Sequence, residues 1–383
     1  MQQLHMKRSY RIIPCYTGDV SGVCSALFEL GGMVVIHDPS GCNSTYNTHD
    51  ETRWYDHDSL IFISGLAEID AVMGNDRKFI DDVVDAALQL QPKFIALANS
   101  PIPFMNGTDF EAISHVIQDR TAIPTFYLPT NGMHDYIVGA SEALAEIARR
   151  FVKEPTQKRP NTVNLLGVTP LDFAHPDAPA SLKKTVEDAG FSVLSCWAMG
   201  DDLSAISQAA EASVNLVVSA VGMRAAKVLQ KRFGTQFVVG CPIGAFREKV
   251  FSAMRQCENL NALQCSKSTD SRITLIGEPV TMGSLAAAIR MELSLTPQVL
   301  CPLEQCEELL TSNMMQTVGE EDVESALKCS KVVIADPLYH PICPQEVQFI
   351  PLPHEAFSGR VFQKTMPNLL ALDPRMLMEG VKL

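Results

Sequence analysis

Two cysteines, Cys15 and Cys42, sit in loops crowded with glycine, serine, threonine and proline. The first lies in PCYTGDVSGVCSALFELGG; the second closes HDPSGC, directly after the apolar run MVVI. A thiol on a glycine turn at the end of a buried strand is a packed core residue, a nucleophile or a metal ligand. Gly18, Gly22 and Gly41 let the backbone approach a bulky group closely, with N–H groups free to point at it. An iron–sulfur cluster wants such surroundings, because thiolates ligate the iron and backbone N–H groups stabilise the sulfides. Spacing alone is weak evidence. The two thiols stand 27 residues apart with no CxxC, and a free cysteine is among the most buried residue types, so packing is the commoner fate of such a pair.

The other candidates are weighed in the same way. Cys24 lies in the helix-like run GVCSALFELGG, whose apolar spacing suggests core. His340 and Cys343 in YHPICP resemble zinc spacing only loosely, and Pro341 and Pro344 make the segment an irregular loop. Cys301 and Cys306 in CPLEQC read as structural, as do Cys196, Cys241, Cys257, Cys265 and Cys329. His354, in IPLPHEAFSGRVF, is either a proton donor with a side chain that titrates near neutrality or an ordinary loop histidine.

The elements that must position these groups repeat as strand, loop, helix along the whole chain. MVVIHD, KFIALANS, TVNLLGV, FSVLSCWA, VNLVVSA, QFVVG, RITLIGE, QVLCPL, KVVIAD and VQFIPLP read as short buried strands. DRKFIDDVVDAALQLQ, TDFEAISHVIQD, VGASEALAEIARRFV, PASLKKTVEDAG, GMRAAKVLQKRFG and MGSLAAAIRMEL have helical apolar spacing. Such alternation implies α/β architecture with parallel sheets flanked by helices. Polar stretches at Lys153 to Thr162 and in NALQCSKSTDSR divide the chain into three Rossmann-like domains, 1–154, 160–265 and 270–383. In open sheets of this class, ligands gather at the carboxyl ends of strands, and Cys42, Ser100, Ser219, Cys241 and His354 all fall at or just past such ends.

Composition excludes several functions. The 383 residues are 46% hydrophobic and 20% charged, as expected of a globular protein. The net charge is −13 and the basic residues are scattered, which argues against nucleic-acid binding. No apolar run approaches the ~20 residues of a membrane span, and the N-terminus lacks the pattern of a secretory signal. Eleven cysteines without such a signal point to free thiols in a reducing cytoplasm. No G-x-x-x-x-G-K-[ST] and no strand-borne G-x-G-x-x-G occurs, so ATP and NAD are not bound by those devices.

Together, these segments resemble the nitrogenase component 1 family, which includes the molybdenum–iron protein, its cofactor-assembly scaffold and light-independent protochlorophyllide reductase. The family carries a first ligand cysteine in a glycine-containing loop, matched by Cys15 with Gly18 and Gly22. A strand then runs into His-Gly-Pro-x-Gly-Cys, matched by HDPSGC with Asp38 in place of the first glycine. SGLAEIDAVMGNDRKFIDDV resembles the segment that follows, and ALANSPIPFMNGTDFEAI places Ser100 at the family's third ligand cysteine. The resemblance implies an electron-relay cluster shared between two related subunits. With Cys15 and Cys42 retained, a symmetric homodimer would supply the four thiolates of one bridging [4Fe–4S] cluster. A heterodimer with a three-cysteine sister subunit is the other arrangement. Ser100 is read as a neighbour of the cluster, because a neutral hydroxyl is a poor iron ligand beside thiolates.

The family's catalytic metal cofactor hangs from one cysteine and one histidine, whose matching positions are Ser219 and His354. A serine does not replace a soft sulfur ligand, so dinitrogen reduction is not expected. The resemblance implies a reductase component fed by a separate ATP-dependent iron protein, or a non-catalytic scaffold for metal-cofactor assembly. It leaves the substrate open.

Overall fold

The computed structural model describes residues 10–39, 51–264 and 270–381. Among them the chain builds three parallel sheets in succession. The first contains β1 (Met33–His37), β2 (Leu60–Ile63), β3 (Ile95–Asn99) and β4 (Thr125–Leu128), in the order β2-β1-β3-β4. The second contains β5 (Arg159–Leu166), β6 (Ser192–Cys196), β7 (Ala212–Val217), β8 (Gln236–Val239) and β9 (Leu260–Asn261), in the order β6-β5-β7-β8-β9. The third contains β10 (Asp270–Ile276), β11 (Pro297–Cys301), β12 (Met314–Gln316), β13 (Val332–Ala335) and β14 (Gln348–Pro351), in the order β12-β11-β10-β13-β14. This is the expected α/β class. β5 begins at Arg159, inside the polar stretch that reads as a linker.

Strand burial follows from period-two alternation between two apolar layers. In β1, Val34 and Ile36 face one core while Met33 and Val35 face another; in β3, Ala96 and Ala98 divide from Ile95 and Leu97 in the same way. The smaller core holds the first sheet against α3 (Asp76–Leu90) and α5 (Phe110–Thr121), through Phe79, Val83, Phe110 and Ile117. The larger core is continuous through all three sheets, from Ile12 to Met378. Arg53 adds a polar tie between the first two sheets. Its guanidinium meets Glu51 and Glu29, donates to the carbonyls of Ser25 and Ala198, and lies 4.7 Å from the Phe28 ring centre.

In the first unit, α1 (Asp19–Leu27) and α6 (Tyr136–Arg150) press together, and α2 (Glu68–Met73) touches α4 (Pro101–Asn106). Two glycines set the α1–α6 distance. A Cβ on Gly139 would come 1.9 Å from the carbonyl oxygen of Asp19, and one on Gly22 2.4 Å from that of Tyr136. Both obstacles are backbone, so a side chain is accommodated only by separating the helices. Gly139→Ala is expected to lower stability by more than ~2 kcal/mol, an overpacking penalty at the upper end of the usual range. Urea unfolding of the variant against the parent measures it.

Candidate functional site

Cys15 is held by the far end of the chain. Its thiol donates to the Ala356 carbonyl at 3.4 Å and lies 3.6 Å from that of Thr17. The Ala356 carbonyl also accepts the N–H groups of Tyr16 and Thr17, at 3.1 and 3.0 Å. Upstream, Glu320 accepts the backbone N–H groups of Arg11 and Ile12, and the Tyr339 hydroxyl donates to the Pro14 carbonyl at 2.7 Å. The segment therefore lies as a strap across the third sheet. Burial, followed by the nearby Asp135 carboxylate, holds the Cys15 thiol well above its ordinary range. Only a cation displacing the proton would make it an anion there. The side chain is half-buried, and Tyr10, Ile13 and Tyr16 of the strap stand exposed.

The loop after β4 joins Cys15 to Ser100. Asp19, at the start of α1, accepts the N–H groups of Asn131 and Gly132, each at 2.9 Å, and its own N–H donates to the His134 carbonyl. Gly18 pairs with Asp135 in an antiparallel bridge, and Gly132 packs on Pro101, the residue after Ser100. Ser100 is fully buried and its hydroxyl makes no hydrogen bond. Buried polar groups almost always find a partner, so an orphan at a strand's carboxyl end marks a place for one. The half-buried thiol and the orphan hydroxyl are each tied to this loop through a neighbouring residue, and their chemistry suits an iron–sulfur group. Among the described residues no group of three or more His, Cys, Asp or Glu side chains is placed to hold a metal ion. Further ligands are needed. Cys42 lies outside the described residues, as does Cys265. The strand leading towards Cys42 ends at His37, which stacks on Phe79 at 4.0 Å and shares a 2.7 Å hydrogen bond with Ser64; burial lowers its pKa to about 4, so it stays neutral.

His354 and Ser219 occupy a second polar centre, where the second and third sheets meet α6. His354 is buried, its N–H donates to Asp336, and its Nε2 lies 3.5 Å from Oδ1 of Asp172. Asp172 accepts the Tyr136 hydroxyl at 2.5 Å and the Thr169 hydroxyl at 3.1 Å. Ser219 is tied to the Gly167 carbonyl at 2.7 Å. The cavity beside His354 is about 20 Å³, room for a water, and Ser219 does not line it. A metal cofactor suspended between these two positions does not fit this arrangement.

Sequence reasoning passed over Asp172, Tyr136 and Glu278, which dominate this centre. Glu278 is fully buried and accepts the N–H groups of Ala220, Val280 and Thr281, joining the second sheet to the helix Pro279–Leu293. Cys24, Cys196, Cys241, Cys301 and Cys306 are buried, whereas Cys257 and Cys329 are exposed and Cys343 is half-buried. No described helix is long and apolar enough to cross a membrane.

Three parallel sheets joined through one core, with a thiol-bearing strap tied to the third unit, define a multi-sheet α/β fold. The sequence pattern of the nitrogenase component 1 type oxidoreductases matches residues 21–254, and the chain belongs to that family. Among curated relatives, it is 23% identical over 246 residues to the nitrogenase iron-molybdenum cofactor biosynthesis protein NifN of Bradyrhizobium diazoefficiens, covering 57% of this chain and 52% of that one. It is 23% identical over 224 residues to the nitrogenase iron-molybdenum cofactor biosynthesis protein NifE of Klebsiella pneumoniae, covering 54% of this chain and 48% of that one. The chain thus spans about half the length of the curated relatives it matches. Its fold is similar to solved structures of nitrogenase Cp1. The structure at pH 5 gives a TM-score of 0.66 at 13% identity, over 97% of this chain and 90% of that one. The structure at pH 6.5 gives 0.68 at 16% identity, over 97% and 93%.

Burial, then the Asp172 charge, raises the Glu278 pKa from 4.5 to about 7. A carboxyl whose folded-state pKa is raised contributes stability that is complete below its unfolded pKa and lost as pH rises through the folded one. Stability is therefore expected to fall between pH ~4.5 and ~7, by up to about 3 kcal/mol from this group. Urea midpoints at pH 5 and pH 8 test it, and Glu278→Gln is expected to flatten the difference.

Proposed function

We propose that this chain is a nitrogenase-like reductase component, taking electrons from a separate ATP-dependent iron protein through an iron–sulfur relay shared between two subunits. The observation that carries the reading is Cys15: a half-buried thiol on an anchored strap whose exposed face includes Ile13 and Tyr16, with the orphan Ser100 hydroxyl reached through the loop after β4. Membership of a family of oxidoreductases supports it. In this reading Cys15 and Cys42 would hold a [4Fe–4S] cluster with the same two residues of a second copy, giving four thiolates. The cluster supplies one-electron storage when bound. The chain's own residues seat the thiol, and the exposed Ile13, Tyr16 and Val361 supply apolar area for the second subunit to cover. Ser100 would lie beside the group as a hydrogen-bond donor. Ser219 would shape the second centre from behind the Gly167 carbonyl, and His354 would donate a proton to substrate. The α/β units at 1–154, 160–265 and 270–383 would serve as the three domains of this arrangement.

A second reading has its own support: the curated relatives are named for cofactor biosynthesis. On that reading the chain would be a scaffold that carries a metal cofactor without turnover, and its partner a sister subunit.

Anaerobic preparations are expected to be brown, with broad absorption near about 400 nm, and to run as dimers. Iron and sulfide should fall to background in both Cys15→Ser and Cys42→Ser. A full complement in either variant overturns the shared-cluster arrangement. Mixing with a nitrogenase-type iron protein, MgATP and dithionite separates the two readings: a reductase oxidises that protein repeatedly and consumes substrate, whereas a scaffold instead releases cofactor.

A further inference from the structure

The turn that follows β11 carries two thiols that neither polar centre uses. Cys301 ends the strand, Cys306 closes the turn, and both side chains are fully buried. The two thiols are hydrogen-bonded to each other. The Cys306 thiol also donates to the Glu304 carbonyl at 3.3 Å, and the Cys301 thiol lies 3.9 Å from the Leu303 carbonyl. Between them Gln305 takes a left-handed backbone, with φ of 56°, which bends the chain back on itself. Glu304, Gln305, Glu307 and Glu308 are exposed, so the second thiol is carried on a short surface turn. That turn clasps the other two units. The Glu304 N–H donates to Asp135 at 2.6 Å, and the Glu304 carboxylate meets His134 at 2.7 Å. Gln305 and Glu308 accept Arg224 and Lys227 of the helix Met223–Phe233. All four contacts are exposed, the kind that salt screens and that local opening breaks first.

We propose that Cys301 and Cys306 are a reversible disulfide site, oxidised by exchange with a low-molecular-weight disulfide. A disulfide needs its sulfurs at bonding distance, and thiols already in contact within one turn need the smallest shift to reach it. Contact with Cys301, then burial, holds the Cys306 thiol well above its ordinary range, so the pair is inert while the turn is closed. Opening the turn brings Cys306 into water, where its thiolate attacks the small disulfide. The small S–S bond breaks, a mixed disulfide forms on Cys306, and one small thiolate leaves. Cys301, losing its proton, then displaces the second small thiolate from Cys306. The chain gives up two electrons and two protons, and one small disulfide becomes two small thiols. Excess small thiol runs the exchange backwards. The new bond ties the turn to the end of β11 and so fastens it against His134 and Asp135.

The test treats the reduced, full-length protein with oxidised glutathione under anaerobic conditions. Both cysteines fall in one tryptic peptide, residues 291–328, which holds no other cysteine. That peptide is expected to lose two hydrogens and to escape alkylation, and excess reduced glutathione should reverse both changes. Glu308→Gln, which releases Lys227, should speed the oxidation several-fold. Amide hydrogen exchange at Glu304, whose N–H is held by Asp135, should slow roughly tenfold in the oxidised form. A peptide that stays reduced in the folded protein overturns the proposal, and so does a lasting mixed disulfide with glutathione on either cysteine. Equal oxidation rates in the parent and Glu308→Gln overturn opening of the turn as the gate. Equal exchange at Glu304 in the two redox forms overturns the fastening of the turn.

Discussion

The Asp19 carboxylate is the interaction on which the first site depends. It sits at the first turn of α1, where a negative charge is favoured by the helix dipole, and it spends its oxygens on the backbone N–H groups of Val20, Asn131 and Gly132. Burial pushes its pKa up while those three donors pull it down. The loop it organises carries Asp135, which caps α6, and packs against the residue after Ser100. The Cys15 strap, the Ser100 position and the Tyr136 end of α6 are therefore set by one carboxylate and its donors.

The second centre is governed by the opposite problem. Asp172, Glu278, Asp336 and Glu355 are all buried at the carboxyl ends of strands from two sheets. Three devices make this tolerable: N–H groups at helix starts, the hydroxyls of Tyr136, Thr169 and Ser358, and a proton held on Glu278 near neutrality. Such a lining repels an anionic occupant. The polar centre and the closed space at His354 are both far from the open, thiolate-bearing pocket that a suspended metal cofactor demands.

Much of the fold was legible in the sequence because buried parallel strands read as unbroken runs of Val, Ile, Leu and Ala, and MVVIH, IALAN and VVIA do so. Elements without a buried apolar signature were not. β2 is only LIFI, α4 begins Pro-Ile-Pro and resembles a turn, and α2 buries none of its residues, so no periodicity betrays it. At the site, Cys15, Ser100 and His354 could be named from motif and position. Their partners could not: Ala356 acts through a carbonyl that any residue type supplies, and lone acids such as Asp172 and Glu278 look like solvated loop residues until tertiary contacts bury them.

The strap at the N-terminus has a consequence for how the molecule is made. Arg11 and Glu320 are 309 residues apart, and Cys15 and Ala356 are 341 apart. Contacts of such sequence separation form last, because the intervening chain must be ordered first. During synthesis the Cys15 thiol precedes the Ala356 carbonyl that accepts it by 341 residues. Until Ala356 has been synthesised and folded into place, the Cys15 thiol lacks the carbonyl that accepts it.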